Sequence, residues 1–348
     1  MVRADLRNRS AIANAGASIN GAPAPASAGA VEADRVAPSA VGTSKVDTSK
    51  PERHRPALRR SHRRQARTAL LYILPAFVFY GLFVAAPWLH SIWISFYDWD
   101  GIGPSTWVGL ENYVTVLTEP LLQRALLNGL GFIFFYTVLP VGLGLIIAAV
   151  IAARQRRGAG ILRTILFLPQ ILPLVAVGVI WRYLYGTDGP INQVLTGAGL
   201  GDLTRAWLGD FEWAYFAVGF VGTWVTTGLC TMLLLAGMQK IDPSLYEAAR
   251  IDRAGAVRQF FHVTLPGLRP EIVIAVTVTI ISALASFDVV YVTTGGGPGR
   301  TTTVPGVLIY QLVFTSNRVG VACALATVLS ALILAIVAVV GRLGKERS

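Results

Sequence analysis

Six long apolar runs separated by polar connections dominate the chain after residue 68. They cover approximately Ala69 to Ile94, Leu127 to Ala153, Leu162 to Tyr185, Trp213 to Met238, Ile272 to Val292 and Val319 to Val340. A helix rises about 1.5 Å per residue, so about twenty apolar residues cross roughly 30 Å of hydrocarbon. Every run meets that length. The pattern predicts an all-α integral membrane protein with about six transmembrane helices. Pro169 and Pro173 fall inside the third run; each removes a backbone donor, which predicts a kink there.

The connections set the orientation, because basic residues stay on the cytoplasmic side. Arg154, Arg156, Arg157 and Arg163 follow the second run, Lys240, Arg250, Arg253, Arg258 and Arg269 follow the fourth, and Arg342, Lys345 and Arg347 end the chain. The alternate connections hold only Arg124, Arg205, Arg300 and Arg318. Both termini are therefore predicted inside. Trp88, Trp93, Trp99, Trp107, Trp181, Trp207 and Trp213 fall near the outer ends of the runs, as an interfacial aromatic belt would place them.

Composition narrows the class further. Of 348 residues 53% are hydrophobic and only 14% charged, against about a quarter charged in soluble domains. The formal net charge is +11, yet most of the excess sits in residues 1 to 68, which carry 13 Lys/Arg and 5 Asp/Glu. That stretch is rich in Ala, Ser, Pro and Arg and offers no periodic apolar face, so it is predicted to be a disordered basic arm. The remainder is nearly neutral, which disfavours a nucleic-acid partner and points to membrane lipid. The first run is too long for a signal-peptide core and is predicted to be a retained anchor. Cys230 and Cys323 lie in apolar runs and suit packing better than a disulfide or metal pair. No GxxxxGK[ST] loop occurs, so energy from ATP must come from a partner.

The fourth connection is unusual. About thirty residues separate Met238 from Ile272, long for a helical hairpin. Its sequence, IDPSLYEAARIDRAGAVRQFFHVTLPGLRP, carries helix signals of its own. Asp242 can cap with Pro243 in the first turn, or Ser244 and Glu247 can form a capping box. Leu245, Ala248, Ala249 and Asp252 then share one face, with Tyr246, Arg250 and Arg253 elsewhere. Gly255 is expected to end this turn before a second helix from Ala256 to Thr264, which Leu265 and Pro266 stop. From pattern alone, an amphipathic helix lying on the bilayer is an equal alternative.

EAARIDRAGAVRQFFHVTLP resembles the cytoplasmic EAA loop of binding-protein-dependent ABC importer permeases. That pattern is EAA, three residues, Gly, nine residues, an aliphatic residue, any residue, then Leu-Pro. Glu247, Ala248, Ala249, Val263, Leu265 and Pro266 occupy the matching positions, whereas Arg253 stands where the glycine is usual. LRTILFLPQILPLVAVGVIW, DGPINQVL and SFDVVYVTTGGGPG are similar to the carbohydrate-uptake class, related to maltose and glycerol-3-phosphate permeases. ILPA, SFYDWD and WVGLENY are similar to the first of the two permease subunits such importers pair.

The resemblance implies a type I importer transmembrane domain in a bacterial plasma membrane, built as an arm (1–68), a first helix and outer loop (69–126), a permease core (127–341) and a tail (342–348). It implies a second homologous permease in a heterodimer, two ATP-binding cassette subunits and an extracytoplasmic sugar-binding protein. This chain would hold no cofactor and catalyse no reaction; ATP and Mg would belong to the partner ATPase. Glu247, Ala248, Ala249, Gly255, Leu265 and Pro266 would couple to that motor.

A sugar path needs hydroxyl partners and a flat apolar platform. Trp224, Thr227 and Thr231, beside Gly228, share a helical face, as do Thr279, Ser282 and Ser286. Small hydroxylated residues equally serve helix packing in membranes. Asp288 is an acid within an apolar run and is expected to anchor the outer loop or cap backbone groups, with a proton relay the lesser reading. Gly295, Gly296 and Gly297 are expected to form a flexible turn. An ion-coupled carrier would be expected to show midplane acids and inverted repeats, and a channel a filter or charged rings; neither pattern is evident.

Overall fold

The computed structural model describes residues 72–153 and 159–345. The basic arm, the cluster Arg59 to Arg67, Arg154, Arg156, Arg157 and Arg347 lie outside the described residues. Helix α1 (Tyr72–Ile94) leads to a two-stranded antiparallel ribbon, β1 (Tyr97–Asp98) and β2 (Thr106–Trp107), that pairs Tyr97 with Trp107. Next come α2 (Glu111–Thr118) and α3 (Pro120–Ala152). The pair α4 (Ala159–Ile171) and α5 (Leu174–Leu184) is followed by α6 (Pro190–Gly197) and α7 (Trp213–Met238). The fourth connection carries α8 (Pro243–Ile251) and α9 (Ala256–Gln259), which runs on through a π-helical turn, Phe260–Thr264. Last are α10 (Arg269–Leu284), α11 (Asp288–Thr293), α12 (Pro305–Phe314) and α13 (Val319–Lys345).

Among the described residues, five helical stretches are long and apolar enough to cross a membrane, and α4 with α5 supplies a sixth if taken as one span bent by 100°. The prolines explain that bend: Pro173 precedes α5, fixes its own φ at −57° and cannot donate backward. The second span begins at Pro120 rather than near Leu127, because Pro120 opens the helix at its first turn. The fifth breaks where no apolar signal marks it: α10 ends at Leu284 and the chain restarts as α11 after Phe287, at φ −139°. Helix α12 lies within what the hydrophobic pattern leaves as a connection.

The main core lies where α3, α5, α7 and α11 meet, around Phe132, Phe135, Val177, Val218, Val221 and Val290. A second cluster joins α2, α3, α12 and α13 through Val116, Leu122, Leu308 and Leu325. Trp181 also belongs to the main core, whereas Trp88, Trp93 and Trp107 are exposed. None of the apolar window of α1 is buried by this chain.

Candidate coupling loop and translocation path

Helix α8 forms because its ends are chemically specified. The Asp242 carboxylate accepts from the Ser244 backbone N–H at 2.9 Å, and Pro243 occupies the first turn. That N–H, with a further contribution from the Ser244 hydroxyl, holds the Asp242 carboxyl below its ordinary range. At the other end the Ala254 N–H donates to the Ala249 carbonyl at 2.9 Å and the Arg253 N–H to Arg250 at 3.0 Å. This paired closure is the Schellman arrangement, which requires a left-handed residue at the position of Arg253. Arg253 supplies it, at φ 56°.

The expected role of Gly255 is thereby corrected. Gly255 is extended, at φ −65° and ψ 168°, and caps the start of α9; the turn is ended by Arg253, despite the steric penalty on a side chain there. Leu265 and Pro266 do not stop the second helix either. The π-helical turn continues into Leu265–Gly267, with Pro266 in the first turn, where its missing N–H is harmless.

On α8, Glu247 and Ala248 are exposed and Ala249 half-buried. Leu245 is 52% exposed and Ile251 82%, and Val257 and Phe261 on the following segment are 71% and 56% exposed. Tyr246 faces the opposite way, its hydroxyl 3.0 Å from Thr264 Oγ1. Leu245, Ile251, Val257 and Phe261 thus leave apolar area exposed on the loop, and Glu247 is exposed as well. Beneath the loop lies a cleft of about 760 Å³ lined in part by Arg163, Gln239, Tyr246, Glu247, Arg250 and Gln259. Lys240 Nζ meets Glu271 Oε1 at 2.9 Å, which ties the residues just after α7 to the first turn of α10 and closes the neck of the loop. Gly237 permits that approach: a Cβ there would lie 2.6 Å from Glu271 Cγ.

The two hydroxyl-bearing faces are placed differently from an open channel wall. Thr227 donates to the Thr223 carbonyl at 2.6 Å, Thr231 to Thr227 at 2.8 Å and Thr279 to Ala275 at 2.8 Å. All three are buried. Ser282 is partly exposed and donates to Val278. Trp224 is 37% exposed and packs edge-on against Trp181 at 5.5 Å. Ser286 is buried and its hydroxyl has no partner among the described residues. Gly228 serves packing, since a Cβ there would fall on the Leu166 carbonyl oxygen.

Sequence reasoning missed Thr223 and Thr226. A π-helical turn in α3, Phe134–Val138, displaces backbone carbonyls from the regular ladder. Thr223 Oγ1 donates to the Phe135 carbonyl at 2.6 Å and Thr226 Oγ1 to Tyr136 at 3.3 Å. A local apolar pattern carries no signal for such a turn.

The end remote from α8 is held by polar contacts. Asp288 sits in the first turn of α11, where the helix dipole favours a carboxylate. The glycine turn is pinned rather than loose. Gly295 and Gly296 take φ 61° and 96°, and their carbonyls accept from Gln311 at 3.1 Å and Thr303 at 3.0 Å. Asn128 Nδ2 donates to the carbonyls of Thr301 and Thr303 at 2.9 and 2.8 Å.

Residues 140–345 match the family described as the binding-protein-dependent transport system inner membrane component. The chain belongs to that family. It is a membrane-located permease component. It is 38% identical over 269 residues to the probable ABC transporter permease protein YurN of Bacillus subtilis, covering 76% of this chain and 92% of that protein. It is 34% identical to the trehalose/maltose transport system permease protein MalF of Thermococcus litoralis, covering 82% and 96%. The fold is similar to that of a bacterial ABC transporter involved in the import of the acidic polysaccharide alginate, with TM-score 0.71 and 23% identity over 82% of this chain and 99% of that one. The alginate transporter has also been solved in complex with an alginate pentasaccharide-bound periplasmic protein; that structure gives TM-score 0.69 and 22% identity over 83% of this chain and 97% of its own.

Proposed function

We propose that this permease imports sugars or related polyols as one half of a heterodimer with a second homologous permease. Two ATP-binding cassette subunits, which bind ATP and Mg, dock on the α8 side, and an extracytoplasmic sugar-binding protein delivers substrate to the opposite side. Both termini are cytoplasmic in this reading, which rests on the Lys/Arg asymmetry of the connections.

The observation that carries the reading is the exposed apolar area of the α8 loop. Leu245, Ile251, Val257 and Phe261 leave large apolar area exposed, and Glu247 and Ala248 are exposed on the same helix as Leu245 and Ile251. Such a patch on a short, doubly capped helix suits a partner's cleft. ATP-driven closure of the cassette pair would carry α8 as a rigid body. The stroke would pass through the Lys240–Glu271 neck into α7 and α10 and rock the bundle between inward-open and outward-open states. Glu247, Ala248 and Ala249 make the contact; Gly255, Leu265 and Pro266 shape the segment behind it. Trp224, Thr227, Thr231, Thr279, Ser282 and Ser286 are the proposed substrate path. Its support is the unpartnered Ser286 hydroxyl and the half-exposed Trp224 indole; the buried threonines would have to be uncovered by the stroke.

The test is copurification with a P-loop ATPase and acceleration of its turnover by sugar-loaded binding protein. Glu247→Arg is expected to insert and assemble normally while losing at least about ten-fold in uptake, since reversing a charge at a desolvated contact costs 2 kcal/mol or more. Normal uptake by that variant removes the coupling assignment.

A further inference from the structure

The cleft of about 760 Å³ beneath the α8 loop has a wall chemistry that the coupling role does not use. Two arginines line it from different elements, Arg163 from α4 and Arg250 from the last turn of α8. Neither forms an ion pair among the described residues. Arg163 Nε is buried and has no hydrogen-bond partner among them either. Gln239 and Gln259 add side-chain amides to the wall; Gln259 Nε2 spends one N–H on the Ala254 carbonyl at 2.7 Å and keeps the second. Glu247 is the one acid in the lining, and it is exposed. Ile241 belongs to the apolar part of the wall.

A buried charged donor without an acceptor is costly, and two unpaired guanidiniums on one cleft favour an acceptor that serves both. A carboxylate offers two oxygens and a single charge, enough for one guanidinium fork. A phosphate monoester carries about −2 near neutral pH and three strong acceptor oxygens, and it matches the fork geometry of arginine. The volume decides what the phosphate is attached to. Small-molecule sites span roughly 300 to 1,000 Å³, so a bare phosphate would leave most of this cleft unfilled. An organic body fits the remainder, with Ile241 against its carbon and the Gln239 amide within the same wall for its hydroxyls.

We propose that Arg163 and Arg250 clamp the phosphate group of a small phosphorylated organic solute or of a lipid headgroup, and that the bound phosphate ties α8 to α4. Helix α4 is part of the packed body, since its Leu166 carbonyl lies directly against Gly228 of α7. Helix α8 has no buried residue. A ligand that bridges the two opposes movement of α8 relative to the body and so acts as a brake on uptake. The brake rests on the coupling reading of α8; the site does not, and its binding is measured apart from transport.

The test titrates the full chain, purified in detergent, with glucose 6-phosphate by calorimetry, and with glucose as the uncharged control. Saturable binding of the phosphate ester and none of glucose is expected. Arg163→Gln and Arg250→Gln should each weaken it about ten-fold. Arg250 is exposed, so its variant keeps the test intact should Arg163→Gln fail to fold. Arg258→Gln removes the same charge from the same loop but outside the cleft lining, and should change binding by less than about two-fold. Native mass spectrometry from mixed phosphatidylcholine and phosphatidylglycerol micelles reads the lipid source: phosphatidylglycerol retained by the wild type and lost from Arg250→Gln assigns the headgroup. Absence of both glucose 6-phosphate binding and Arg250-dependent lipid retention overturns the site, as does equal weakening by Arg258→Gln. In the reconstituted complex, saturating glucose 6-phosphate on the α8 side should lower uptake by the wild type and not by Arg250→Gln; undiminished uptake with the ester bound overturns the brake. The importer reading fails on a separate readout: wild-type complex whose ATPase ignores every sugar-loaded binding protein.

Discussion

Helices α7 and α8 are neighbours in the chain and opposites in construction. In α7, 67% of the apolar window is buried, Gly219 and Gly222 sit directly under the rings of Phe135 and Tyr136, and Gly228 under the Leu166 carbonyl. In α8 no residue is buried, and the ends are fixed by an Asp cap and a Schellman closure. One is locked by its surroundings; the other is stabilised by its own termini and leaves its face free. In a membrane, close packing replaces hydrophobic sequestration as the glue between helices. In the proposed coupling role, α8 would instead keep its contact surface for another subunit. The difference separates the residues of the packed body from those that the proposed coupling role makes a lever.

Substitutions of glycine should break this contrast most sharply. Gly228→Val is expected to cost about 3 kcal/mol or more, because the side chain would displace the α4 backbone rather than a flexible side chain. Gly255→Ala, with nothing within 4 Å of its added carbon, is expected to stay within about 1 kcal/mol. Thermal unfolding of the purified chain in detergent compares them, and equal losses would dissolve the distinction between the packed span and the loop.

The joint between body and lever comes next. Lys240 is 73% exposed and Glu271 12%, so their pairing contributes little to stability. Its expected importance is mechanical. Lys240→Glu alone should lower sugar transported per ATP hydrolysed by roughly two- to five-fold, the equivalent of up to about 1 kcal/mol, and Lys240→Glu with Glu271→Lys should restore the ratio. Failure of the double variant to recover would make the pair incidental.

Smallest is the end of α8 itself. Arg253→Gly is expected to stabilise the loop by about 1 kcal/mol by relieving a left-handed side-chain-bearing residue, with uptake unchanged. The opposite terminus titrates. The Asp242 cap has a lowered folded-state pKa, so its contribution is present above the ordinary carboxylate range and is lost as pH falls through the lowered value. Circular dichroism between pH 5 and pH 2 should show an acid-sensitive helical component in the wild type that Asp242→Asn reduces.

Much of this was legible in residue patterns. The spans after residue 119, apart from the ends displaced by Pro120 and the break at Ala285 to Phe287, follow the apolar runs, and Pro173 announces the bend between α4 and α5. The α8 helix is readable because DP and EAA are local signals, and its N-cap is Asp242, one of two options the sequence allows. What was hidden is non-local. Nothing in FFYTV marks a π-helical turn, and only the opposing Thr223 and Thr226 hydroxyls show where its displaced carbonyls go. Gly255 drew attention as the nearby glycine, yet helix register, set by Ile251 as the last helical residue, assigns the left-handed position to Arg253. Likewise the contacts of Phe287 and Tyr291 with Tyr310 join segments that no sequence period connects.

The most direct test of the lever is a spin label at Ala248→Cys, read in lipid nanodiscs with and without the ATPase subunits. The account requires a label that is water-accessible in the isolated permease and becomes immobilised and shielded when the ATPase is added, with a further change on ATP. A label that lies in the oxygen-rich lipid phase under both conditions would show α8 resting on the bilayer and would contradict the account.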